Sequence, residues 1–116
     1  MAKKIDWYYR RNSCATCTKA DEYIASRKLR TKDVVDARKD KLGKREIAQI
    51  LRRSNRVVAV RGQSILDWDL KRDPPIEKDL YAALLGPQGN LRAPSARVGK
   101  TLLVGFTDDA WDRALP

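Results

Sequence analysis

Lys4-Ile5-Asp6-Trp7-Tyr8-Tyr9-Arg10-Arg11-Asn12-Ser13-Cys14-Ala15-Thr16-Cys17-Thr18-Lys19-Ala20 holds a strand, a turn and the start of a helix in one stretch. Lys4 to Tyr9, rich in Ile5, Trp7, Tyr8 and Tyr9, predicts a short strand that runs into the polar turn Arg10-Arg11-Asn12-Ser13. From Ala15 to about Arg27 the apolar residues Ala20, Tyr23 and Ile24 fall at i, i+3 and i+4. Asp21-Glu22 precede Arg27-Lys28, the charge order that a helix favours. Cys14 and Cys17 therefore open a helix that directly follows a strand.

Working outward, Thr31 to Ala37 carries Val34 and Val35 and predicts a second strand, completing a β-α-β unit whose strands should be parallel. The charged link Arg38-Lys39-Asp40-Lys41 leads to a helix over Leu42 to Arg53, with Leu42, Ile47, Ile50 and Leu51 on one apolar face. Asn55 to Gln63 reads either as a strand, from Val57, Val58 and Val60, or as an ordered loop, from the crowding of Arg56, Arg61 and Gly62. A third helix is expected from about Ile76 to Leu85, introduced by Pro74-Pro75 and closed by Gly86-Pro87. Leu91 to Val98 and Thr101 to Phe106 read as a hairpin turning at Gly99-Lys100. Thr107 then caps a final helix, with Asp108 and Asp109 in its first turn and Trp111 and Leu115 facing a core.

The chain has 116 residues, the size of one domain, and 42% apolar with 34% charged residues is the balance of a globular protein. No Gly/Ser linker or repeat divides it, so residues 1–116 are expected to form a single domain, with residues 38–87 as a helical insertion. Its start shows no export signal, and no apolar run approaches the roughly 20 residues of a membrane span, so a cytoplasmic protein is expected. The net charge is +10, from 25 Lys+Arg against 15 Asp+Glu. Such a surface attracts anions without choosing among them. There is no histidine, which removes Cys-His pairs, Ser-His-Asp triads and the commonest metal ligand. With no helix-turn-helix pattern, zinc finger or aromatic strand face, direct nucleic-acid binding is not expected.

A Cys-x-x-Cys at a helix start suits thiol chemistry. The first thiolate meets unpaired backbone N–H groups and the positive end of the helix, and Arg10 and Arg11 add to this field. The second thiol, one turn on, can attack a mixed disulfide on the first. Cys14 is thus the expected nucleophile and Cys17 the resolving thiol. Zinc would need four ligands, and two thiols without histidine supply too few unless a second chain or carboxylates contribute. The other alternative is two free cysteines packed in a core. No metal or cofactor is expected.

Two stretches carry a family resemblance. Asn12 to Ala20 is similar to the opening motif of the arsenate-reductase-like (ArsC/Spx) family, particularly its Spx-type version. Leu91-Arg92-Ala93-Pro94, followed by Val98 to Phe106, resembles that family's LxRP strand and its continuation. The resemblance implies an α/β thioredoxin fold, with a four-stranded mixed sheet flanked by helices and interrupted by the helical insertion. It further implies a cis Pro94 facing the reactive cysteine and an Arg61 pointing at the site, so that Arg11, Arg61 and Pro94 are the candidate substrate- or anion-binding residues. The function implied is a thiol-disulfide oxidoreductase recycled by glutathione, glutaredoxin or thioredoxin. The alternative is an Spx-like redox-sensing regulator that binds RNA polymerase. Dedicated arsenate reductases carry an arginine directly before the proline, where Ala93 stands here. Arg92 lies one residue earlier, on the other face by strand alternation, and Leu103 to Phe106 lacks the family's further arginine. Arsenate as substrate is therefore left open.

Overall fold

A computed structural model describes residues 4–115; residues 1–3 and Pro116, the ends of the expected domain, lie outside the described residues. Ten elements follow one another: β1 (Lys4–Arg10), α1 (Ala15–Ser26), β2 (Arg30–Asp36), α2 (Lys44–Arg52), β3 (Arg56–Arg61), β4 (Ser64–Asp69), α3 (Glu77–Leu84), β5 (Ser95–Val98), β6 (Thr101–Val104) and α4 (Asp108–Asp112). The strands form one mixed sheet in the order β2-β1-β5-β6-β3-β4. β1 runs parallel to β2 and antiparallel to β5, β5 is antiparallel to β6, and β3 is parallel to β6.

Alternation along the strands divides the core between the two faces of the sheet. Tyr8, Val58, Val60, Ala96 and Leu103 pack with Ala20 and Tyr23 of α1 and Trp111 of α4. Tyr9, Val57, Ala59, Leu102 and Val104 pack with Ile47 of α2 and with Ala83 and Leu84 of α3. The result is a three-layer α/β/α arrangement. Trp111 sits edge-on to Tyr8, Tyr23 and Phe106, and its indole N–H donates to the Gly105 carbonyl at 2.9 Å. The final helix is capped as expected, Thr107 Oγ1 accepting the Ala110 N–H at 3.1 Å. No helix among the described residues is long and apolar enough to cross a membrane.

The sheet has six strands among the described residues, not the four expected, and residues 38–87 are not a purely helical insertion. Between α2 and α3 that segment contributes the hairpin β3–β4, which extends the sheet beyond β6. The run Val57-Val58-Ala59-Val60 is buried on both faces, the pattern of an interior strand rather than of a loop. Arg56, which argued against a strand, is absorbed by the hairpin itself: its guanidinium donates to both oxygens of Asp67 on β4, at 2.9 and 2.7 Å. Arg113 joins the same carboxylate at 3.1 Å.

The closing hairpin is shorter than expected. β5 begins at Ser95 rather than Leu91, because Pro94 has no N–H to give the ladder. Leu91 and Arg92 instead donate to the carbonyls of Leu42 and Leu84. β6 stops at Val104, where Gly105 turns the chain at a φ of 75°.

Candidate thiol site

β1, β3 and β6 point the same way, so their carboxyl ends lie at one end of the sheet, together with the start of β5. Tyr9, Ser95, Val104 and Ala59 form one cross-strand row. Continuing the β1–β5 register by one residue brings Arg10 opposite Pro94, while Gly105 lies against both Pro94 and Val60. The Gly105 N–H donates to the Pro94 carbonyl at 2.8 Å. The loop that leaves β1 for the cysteines therefore starts next to Pro94. Pro94 is buried, and its bond to Ala93 is cis.

Asn12 and Ser13 reverse the chain between β1 and α1. Ser13 has a φ of 58°, a left-handed conformation that a residue with a Cβ takes at some cost. Cys14 returns to extended backbone as the N-cap of α1, its Sγ accepting the Cys17 N–H at 3.2 Å. Its carbonyl accepts the Thr18 N–H at 2.9 Å and the Thr18 hydroxyl at 3.1 Å. Sulfur here takes the position that a serine or aspartate oxygen holds in ordinary caps. Both cysteines are free thiols. Cys14 is 8% exposed and Cys17 wholly buried.

Burial, reinforced by the neighbouring Cys14, pushes the Cys17 thiol up to about 11; an N–H from the Arg11 backbone and the charge of Arg10 oppose the shift. Cys17 is thus a protonated thiol at neutral pH. Arg10 is already engaged, its guanidinium gripping Asp21 through two 3.0 Å hydrogen bonds. The same carboxylate accepts the Tyr8 hydroxyl at 2.7 Å, and burial raises the Tyr8 phenol well above its ordinary range. Tyr8 also reaches the Cys17 carbonyl at 3.4 Å. Tyr8 and Asp21 were not among the expected site residues. Their signal was the placement of Asp21 four residues, about one turn, after Cys17.

The other expected residues are placed as follows. Arg11 is exposed and lines a cleft of about 510 Å³ with Arg38, Lys41 and Arg92. Arg61 is exposed at the end of β3, three strands from β1 and so roughly 14 Å away by strand spacing. Arg92 is a structural tie, one of its nitrogens donating to the carbonyls of Val60 and Ala83 at 2.7 and 2.9 Å. Burial and the charge of Arg61 both lower its pKa. Among the described residues no three His, Cys, Asp or Glu side chains gather closely enough to hold a metal ion. No protein-family model matches the chain, and no curated protein is significantly similar to it.

Proposed function

We propose that the protein is a thiol-disulfide oxidoreductase of the arsenate-reductase-like kind, built on a thioredoxin-like core of β1, β2, β5 and β6 with α1 and α4. One observation carries this reading: Cys14 caps α1 through its sulfur, with Cys17 one turn behind it, at the sheet end where cis Pro94 immediately precedes β5. Cys14 attacks a substrate disulfide as the thiolate. The substrate S–S bond breaks, a mixed disulfide forms, and the departing thiolate takes up a proton. Cys17 then gives up its proton and attacks the Cys14 sulfur, forming the Cys14–Cys17 disulfide and releasing the second substrate thiol. A dithiol such as reduced thioredoxin or glutaredoxin, or two molecules of glutathione, returns the pair to the reduced state. Such chemistry belongs to a reducing compartment.

The test uses glutathione disulfide, with alkylation and mass spectrometry as the readout. In Cys17→Ser a mixed disulfide should accumulate on Cys14; in Cys14→Ser none should form; the wild type should pass to an internal disulfide. If both thiols stay unmodified in the folded wild type, the reading is wrong. A sensing role is the second reading, supported by the burial of the pair, which restricts access to Cys14 and slows exchange. Repeated turnover with a reductant argues for the enzyme. A single stoichiometric oxidation that alters binding to RNA polymerase argues for the regulator.

A further inference from the structure

A cleft of about 670 Å³ opens on the α2 side of the sheet, between the last turns of α2 and the strands β1 and β5. Its floor is Trp7, with Leu42 and Ile50 beside it, and its rim carries Arg52, Arg53 and Arg97. Trp7 and Arg97 are direct cross-strand partners, so their side chains leave the same face of the sheet. One face of the Trp7 ring lies on Tyr9, 5.3 Å between centroids and 11° from parallel. Tyr9 is buried while Trp7 is half-buried, so Tyr9 backs the ring from the protein side. No hydrogen bond among the described residues engages the Trp7 indole N–H, and that group is not sealed from solvent.

None of the three arginines forms an ion pair among the described residues. Arg97 spends one nitrogen on the Gly99 carbonyl at 3.1 Å, and its charge also reaches Asp6, whose carboxylate is held by the Gly99 N–H at 2.7 Å. Glu46 is the one carboxylate in the lining, and its Oε1 accepts the Gly43 N–H at 2.9 Å. A backed aromatic plane next to three unpaired guanidinium groups matches a ligand with one flat ring and a short chain of negative charges.

We infer that this cleft binds a nucleoside polyphosphate, its base against Trp7 and its phosphates on Arg52, Arg53 and Arg97. The cavity has the volume of an ordinary small-molecule site. A single stacking residue argues for one base rather than a strand, since single-stranded nucleic acid is tracked by several platforms along a groove. The site is independent of the thiols: Trp7 packs on the face of the sheet opposite α1 and lies three residues, about 10 Å, before Arg10.

The test is the polarisation of a fluorescently labelled ADP at near-physiological salt, with displacement by unlabelled ADP and by inorganic tripolyphosphate. Arg52→Ala/Arg53→Ala, both exposed positions, should weaken binding by about tenfold or more, and Trp7→Leu by about tenfold. Lys71→Ala/Arg72→Ala, which removes the same charge elsewhere, should leave it unchanged. Circular dichroism establishes that each variant is folded. Equal loss in both arginine and lysine variants, displacement by tripolyphosphate as effective as by ADP, or failure of wild type to bind would each overturn the proposal. None of these outcomes depends on Cys14 or Cys17.

Discussion

Arg92 looks from its position beside Ala93-Pro94 like a site residue, yet its bonds predict that its removal costs stability and spares the thiols. In Arg92→Met the aliphatic stem is kept and the guanidinium lost, so the bonds to the Val60 and Ala83 carbonyls disappear. A hydrogen bond to a charged donor contributes about 1.5–3 kcal/mol, and two give roughly 3–6 kcal/mol. Part of this is returned, because the half-buried guanidinium no longer has to be desolvated, the same cost that lowers its pKa. A net loss of about 2–4 kcal/mol follows, which for a chain of this length is a fall in Tm of roughly 8–16 °C. Thermal and urea unfolding followed by circular dichroism measure it. Arg92→Lys, able to keep one of the two bonds, should fall in between. The Cys14 alkylation rate should be the same in all three proteins. A variant of unchanged stability, or one with normal stability and altered Cys14 reactivity, refutes the assignment of Arg92 to the scaffold.

Gly105→Ala would put a methyl 3.1 Å from Val60 Cβ and 3.2 Å from its carbonyl oxygen, at a φ of 75°; urea denaturation should register a loss of about 2–4 kcal/mol. Cys14→Ser keeps an acceptor for the Cys17 N–H and should match the wild type in stability, whereas Cys14→Ala should lose about 1 kcal/mol in the same assay. Cys17 ionises at a higher pH in the folded chain than in the unfolded one, so folding favours its neutral form. The resulting stability is intact below the ordinary thiol value of 9.0 and is lost as pH rises toward about 11. Between those limits wild-type stability should fall about 2–3 kcal/mol further than that of Cys17→Ala; parallel curves would contradict the burial of this thiol.

Where one element's residues decide its state, the chain was legible. The strand and helix around Cys14 and Cys17, the cap at Thr107 and the turn at Gly99-Lys100 all lie where local spacing puts them. β3 was ambiguous because Arg56 and Arg61 flank its apolar run, and what settles it is Asp67, eleven residues on in β4. β4 itself, Ser64-Ile65-Leu66-Asp67-Trp68-Asp69, follows Gly62 at a φ of 61° and takes its place by pairing with β3. The same limit applies at the site. Arg10 was expected to act on the Cys14 thiolate; two of its hydrogen bonds go to Asp21, a partner on another element, and its charge is felt at Cys17. Arg92 shows how a cation one residue from the expected motif position can be tied down by backbone carbonyls.

β1 is an interior strand whose second neighbour is made late. Asp6 and Gly99, which hold the β1–β5 edge together, are 93 residues apart. During synthesis the thiol-bearing helix and β2 emerge early, yet the sheet that encloses them cannot close until β5 and β6 exist. Pairings this distant in sequence slow folding relative to chains held by local contacts. For that interval Cys14 and Cys17 sit beside an open strand edge, exposed to every passing thiol and disulfide. Mixed disulfides formed on a nascent chain would trap it unfolded, so the yield of native protein should depend on how reducing its surroundings are while β5 is still missing.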